Sequence, residues 1–166
     1  MNLLPDQLVA KAREVVEANR KAGRRITVAE SCTGGLVSAA ITEIPGSSEV
    51  FIAGFVTYSN EAKIARLGVS PDVIDTFGAV SVATAWAMAQ GALHALDVDV
   101  AVSITGIAGP DGGTPSKPVG TVVFAKALKG QSPEEASADS RLFDASEGRA
   151  GIRLQAALCA LELLLP

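Results

Sequence analysis

The stretch Arg25-Ile26-Thr27-Val28-Ala29-Glu30-Ser31-Cys32-Thr33-Gly34-Gly35-Leu36 decides how the chain folds. Arg25 to Ala29 reads as a short strand. Gly34 to Glu43, with Leu36, Ala39, Ala40 and Ile44 on one face, reads as a helix closed by Pro45-Gly46. A strand therefore runs directly into a helix through Ser31. At such a junction the first backbone N–H groups of the helix have no intrahelical acceptor, and an anion or a developing oxyanion is stabilised there. Gly34 and Gly35 would let a substrate approach the backbone closely. A hydroxyl from Ser31 or Thr33 would serve equally well as a helix cap, so the turn by itself leaves both uses open.

Outward from this junction the chain alternates between the two kinds of element. Leu4, Leu8, Ala12, Val15 and Val16 recur at helical spacing from Pro5 onward, and Gly23 stands where a C-terminal cap belongs. Val50 to Tyr58 lacks a polar face and reads as a strand covered on both sides. Helical segments follow at Asn60 to Arg66 and Pro71 to Thr76, and a longer one from Ser81, an N-cap residue, to Leu96. Val98 to Ile104 and Val119 to Leu128 are apolar strands separated by the Gly- and Pro-rich loop Thr105 to Pro118. Ser137 to Phe143 reads as a last strand and Ser146 to Leu164 as an amphipathic helix. The pattern predicts one α/β domain over residues 1–166, with a mixed sheet covered by helices on both faces. Ligands of such sheets sit beyond the carboxyl ends of the strands, where both glycine-rich segments fall.

Composition narrows the function. The chain is 48% hydrophobic and 19% charged over 166 residues, as expected of one packed domain. A net charge of −4 and only 4% aromatic residues lack the footprint of a nucleic-acid binder. The two cysteines, Cys32 and Cys159, have no metal-ligand spacing and suggest no disulfide framework, which fits a cytoplasmic setting. No signal peptide or membrane-spanning run is legible. One local pocket could still bind a small anionic ligand; further copies of the same chain in a homo-oligomer are expected, and nucleic acid and membrane are not.

A serine nucleophile needs a base, yet the single histidine, His94, lies inside an apolar helix, which argues against a Ser-His-Asp triad. A lysine serves instead when burial lowers its pKa. Lys63 is the candidate, and Tyr58, Asn60 and Lys63 all follow a strand's carboxyl end; the alternative is a solvent-facing lysine beside a core tyrosine. Cys32 is a rival nucleophile, because a helix N-terminus lowers a thiol's pKa. Thr105, Gly106, Ala108, Gly109, Gly112 and Gly113 open a loop rich in backbone donors with little bulk, without the spacing of a Walker loop or a dinucleotide fingerprint. Arg149 and Arg153, one helical turn apart, would present guanidinium groups to a phosphate or carboxylate, or lie solvated on the surface.

Ala29-Glu30-Ser31-Cys32-Thr33-Gly34-Gly35, Tyr58-Ser59-Asn60 with Lys63 and Leu67-Gly68-Val69, Gly78-Ala79-Val80-Ser81, and Thr105-Gly106-Ile107-Ala108-Gly109-Pro110 through Lys117-Pro118-Val119-Gly120 together resemble one family. It is the CinA C-terminal domain family, the PncC nicotinamide-nucleotide amidohydrolases. The resemblance implies a three-layer α/β/α domain with a mixed, mostly parallel five-stranded sheet, in a stand-alone form without the additional N-terminal domain of many members. It implies deamidation of nicotinamide mononucleotide to nicotinate mononucleotide and ammonia, a step of pyridine-nucleotide salvage, with no metal or organic cofactor. By position, Ser31 would attack the amide, Lys63 would be general base and Tyr58 would assist proton transfer. Backbone groups at Thr33, Gly34 and Gly35, or around Thr105 and Gly106, would hold the oxyanion and the phosphate. Where the family usually shows Gly-Asp-Arg, this chain reads Ser146-Glu147-Gly148-Arg149, which weakens the case for a role at that corner. A non-catalytic nucleotide-binding or partner-binding module of the same fold is the alternative function.

Overall fold

A computed structural model describes residues 1–166. The order of elements is α1 (Asp6–Ala22), β1 (Ile26–Glu30), α2 (Leu36–Thr42), β2 (Phe51–Val56), α3 (Asn60–Leu67), α4 (Pro71–Phe77), α5 (Val82–Ala95), β3 (Val100–Gly106), β4 (Thr121–Leu128), β5 (Ser137–Leu142) and α6 (Gly148–Leu163). The sheet runs β2-β1-β3-β4-β5. β1 pairs in parallel with β2 and with β3, whereas β3 with β4 and β4 with β5 pair antiparallel. Helical crossovers join the parallel strands; β3 and β4 are joined by a loop alone, which can only return the chain antiparallel.

Alternation along the strands builds two cores. Ile26, Val28, Val100, Val102, Ile104, Val122 and Phe124 face α1, α2 and α6. Ala29, Ala101, Val123, Ala125 and Ala127 face α5 and its neighbours. The second face is lined mostly by alanines, and α5 answers with Ala85, Ala89 and Ala92, so this layer sits close to the sheet. Every residue of β1 is buried.

Three sequence expectations need correction. The helix read from Gly34 begins at Leu36, because Gly34 and Gly35 adopt φ of 59° and 97° and lie in the turn itself. The strand read as covered on both sides, β2, is an edge strand with no buried residue, four being partly buried and Gly54 and Val56 exposed. The last helix starts at Gly148, after a single 3-10 turn at Ala145–Glu147.

The parallel register positions the site. Glu30 pairs with Val56 on one side and Ile104 on the other, so β1 and β2 end at one level and β3 runs two residues further. The next residues continue the pairing: Ser31 N donates to Ile104 O at 2.9 Å and Thr57 N donates to Glu30 O at 2.9 Å. Close packing of α3 on α5 depends on Gly91, where a methyl group would be driven into the Leu67 carbonyl oxygen. Gly91→Ala is therefore expected to lower stability by about 1–3 kcal/mol, the usual cost of overpacking, read as a lower urea midpoint at unchanged m-value.

Candidate active site

The turn after β1 is braced from both sides. On the inside, the Glu30 carboxylate is wholly buried and accepts four hydrogen bonds: from Thr33 Oγ1 at 2.7 Å, Val37 N at 2.9 Å, Ser38 N at 3.0 Å and Ser38 Oγ at 2.7 Å. On the outside, Arg153 of α6 donates from Nε to Cys32 O at 3.0 Å and from Nη2 to Thr33 O at 3.1 Å. Helix α2 thus spends two of its first N–H groups on an internal anion. This corrects the expectation that they stand free for a ligand, and Arg153 is a structural donor rather than a solvated charge.

Ser31, only 7% exposed, is presented at the top of this turn. Lys63 reaches it from α3, whose start is set by Ser59, the N-cap accepting from Ala62 N at 3.0 Å. One helical turn into α3, Lys63 is 1% exposed, and its Nζ lies 3.0 Å from Ser31 Oγ, 2.9 Å from Thr57 O and 3.2 Å from Tyr58 O. The solvent-facing alternative for Lys63 does not hold. No carboxylate forms an ion pair with it. Burial lowers the Lys63 pKa below the ordinary lysine value. Nζ donates to Ser31 Oγ and to both carbonyls; once the amine is neutral, two N–H groups still serve the carbonyls and its lone pair is free to accept the Ser31 hydroxyl proton.

A cavity of about 270 Å³ opens over this pair. Ser31, Tyr58, Asn60, Lys63, Thr105, Gly106, Ala108, Gly109, Gly112 and Arg149 all lie on its wall, joined by Cys32, Ala79, Val80, Ile107 and Asp111. Thr33, Gly34, Gly35 and Gly113 are not on the wall. Thr33 is fully buried with its hydroxyl turned to Glu30, and Gly34 and Gly35 form the far side of the turn. Thr105 spends its hydroxyl on Ala79 O at 2.8 Å, which ties β3 to the segment before α5. Arg149 spans the cavity mouth, donating to Gly109 O at 2.7 Å and to Tyr58 Oη at 3.0 Å. The Tyr58 hydroxyl is thus linked to Arg149, and no hydrogen bond joins it to Ser31 or Lys63. His94 is exposed on α5, outside this cavity.

Cys32 is not the activated thiol that its place near a helix N-terminus suggests. Burial raises its pKa to about 11, outweighing its own backbone hydrogen bond and the nearby Arg153 charge. Glu30 and Arg153 as braces are the features that sequence reasoning missed. The one available signal was an acidic residue closing an otherwise apolar strand.

Residues 9–166 match the family model of the CinA C-terminal domain. The chain belongs to that family. A nicotinamide-nucleotide amidohydrolase PncC of Enterobacter agglomerans is 49% identical over 156 residues, which are 92% of this chain and 90% of that protein. A CinA-like protein of Mycobacterium avium is 48% identical over 162 residues, 96% of this chain but 37% of the relative. The chain spans about a third of the length of several such CinA relatives, 34% for one from Symbiobacterium thermophilum. Among solved structures, the competence/damage inducible protein CihA of Agrobacterium tumefaciens superposes with a TM-score of 0.93 at 43% identity, covering 99% of this chain and 97% of that one. A CinA superfamily protein of Escherichia coli superposes at 0.88 with 34% identity, covering 98% and 92%. No helix of this CinA domain is long and apolar enough to cross a membrane.

With a pKa near 11, Cys32 is about one part in a thousand thiolate at pH 8. The native protein is therefore expected to resist iodoacetamide at Cys32, with alkylation appearing only after denaturation; mass spectrometry of the peptide containing residue 32 checks this.

Proposed function

We propose that this CinA domain is a nicotinamide-nucleotide amidohydrolase that converts nicotinamide mononucleotide to nicotinate mononucleotide and ammonia through a serine nucleophile and a lysine base. The observation that carries the reading is the buried, unpaired Lys63 amine 3.0 Å from Ser31 Oγ at the floor of a nucleotide-sized cavity. The kinship with the PncC amidohydrolase of Enterobacter agglomerans supports the substrate.

In this mechanism the neutral Lys63 amine takes the Ser31 proton as Oγ adds to the carboxamide carbon. Lys63, now an ammonium, returns that proton to the departing nitrogen, and ammonia leaves an acyl ester on Ser31. Lys63 then deprotonates a water that attacks the ester, and the proton goes back to Ser31 Oγ as the carboxylic acid is released. Burial suits Lys63 to both halves, because a lowered pKa enlarges the share of free amine that accepts the proton and makes the ammonium readier to return it. Arg149 and the N–H groups of the Gly106–Gly112 loop would hold the nucleotide's phosphate away from the reacting end. Tyr58, held by Arg149, would orient the substrate and assist proton movement at the cavity mouth.

An ammonia-release assay with nicotinamide mononucleotide, nicotinamide and the riboside tests the reading. Turnover of the mononucleotide well above the other two is expected; ligand-induced thermal stabilisation without any turnover would favour a binding module instead. Ser31→Ala and Lys63→Met should remain folded and lose roughly 10³-fold or more in kcat, whereas Cys32→Ala should retain its rate within about threefold.

The pH dependence has a definite sign. Because the folded enzyme holds Lys63 below its ordinary 10.5, the reactive free base gains population as pH rises, and kcat/KM should climb and level off before that value. A rate that falls as the solution is made mildly alkaline would contradict a lysine base.

A further inference from the structure

We infer that Glu30 is a positioning residue of the amidase site: its buried carboxylate fixes the Ser31–Gly35 turn so that the nucleophile's hydroxyl stays against Lys63. The inference rests on the proposed Ser31/Lys63 chemistry and adds a residue that touches neither substrate nor the reacting atoms.

The turn cannot hold itself in shape. It contains two successive glycines at positive φ, the residue type that loses most conformational entropy on ordering. Its own backbone contributes few fixing bonds, from Gly34 N to Ser31 O at 3.0 Å and from Leu36 N to Thr33 O at 3.1 Å. Ser31 itself is tied to β3 through its N–H and to Lys63 through Oγ, but from Cys32 onward the turn is held by Glu30 on one side and Arg153 on the other. Glu30 is the immediate neighbour of Ser31, and its two oxygens reach Thr33 within the turn and Val37 and Ser38 in the first turn of α2. One carboxylate therefore ties together the residue before the nucleophile, the turn and the following helix.

The choice of a charged group points beyond folding. Glu30 is 0% exposed and pairs with no cation, and burying a carboxylate without a counter-charge is costly in general. A neutral serine, threonine or asparagine is the usual and less costly way to cap a helix. What the carboxylate adds is four charge-assisted bonds, shorter and about twice as strong as neutral ones. The stiffness is delivered one residue from Ser31, where displacement of about 1 Å can cost 10²-fold in rate.

The test compares Glu30→Gln, Thr33→Val and Thr33→Ser with the wild type. Glutamine keeps the shape but turns one acceptor into a donor facing the N–H groups of α2. Valine keeps the shape of Thr33 and removes its bond to Glu30, and serine restores that bond. Two readouts are taken on each: ammonia release from nicotinamide mononucleotide, and the rate at which a small fluorophosphonate labels Ser31. The second needs only an activated serine: a bond forms from Oγ to phosphorus, fluoride leaves and Lys63 takes the proton. It remains decisive even if the substrate assignment is wrong.

Glu30→Gln should lower kcat and the labelling rate about tenfold or more, with KM within about twofold and the pH midpoint of the rate unmoved. Thr33→Val should show a smaller fall in the same two rates, and Thr33→Ser should return them to near the wild-type values. Wild-type labelling by Glu30→Gln or Thr33→Val would overturn the inference. So would a loss that tracks only the unfolded fraction and vanishes on cooling, or a shifted pH midpoint, which would make Glu30 an electrostatic partner of Lys63. If wild type labels but releases no ammonia, the proposed function fails while the positioning role is still decided by labelling.

Discussion

The parallel pairing of β1 between β2 and β3 is the constraint on which the site depends. Because Glu30 is level with Val56 and with Ile104, β1 and β2 end together while β3 runs two residues further, and Ser31 and Thr57 emerge beside the end of β3. A shift of one residue in either pairing would turn every side chain of a strand to the opposite face. The alternating cores resist such a shift, with branched side chains on one face and alanines on the other. Precision at the site is therefore inherited from the packing of the sheet.

Two ionisable side chains are buried within this arrangement, and they are treated differently. Glu30 is surrounded by donors that satisfy an anion, with no cation near enough to pair. Lys63 is surrounded by two carbonyls and one hydroxyl with no carboxylate to pair with, and burial lowers its pKa. Glu30 is enclosed by hydrogen-bond donors and burial lowers the Lys63 pKa, an arrangement that fits the proposed support and the proposed base.

The cavity above them is built from contacts between segments far apart in sequence. Arg149 links the Gly-rich loop to Tyr58, Thr105 links β3 to Ala79, and Lys117 donates to Phe77 O at 2.6 Å, holding the same loop to the end of α4. The departure from Gly-Asp-Arg at Ser146-Glu147-Gly148 does not remove Arg149 from this arrangement: its guanidinium still reaches the loop and the tyrosine. A loop of many glycines thereby becomes a wall, because its ends and middle are tied to regular elements.

The sequence by itself determined the kinds of element and the chemistry available. Periodicity placed α1 with its Gly23 cap and α5 with Ser81 as its N-cap, and the run from Glu30 to Gly35 marked a strand-to-helix turn carrying a candidate nucleophile, Ser31. The absence of a usable histidine singled out Lys63. Those are local properties, set by side-chain type and by spacing of a few residues. Only the tertiary structure decided which way side chains point and what surrounds them. It turned Thr33 inward to Glu30, set Arg153 against the turn's carbonyls, made β2 an edge strand and raised the Cys32 pKa through burial. Each of these outcomes depends on an element distant in sequence, so no local pattern could specify it. The 3.0 Å between Lys63 and Ser31 is of the same kind, since it exists only once β1 and β2 are in register and α3 has docked against them.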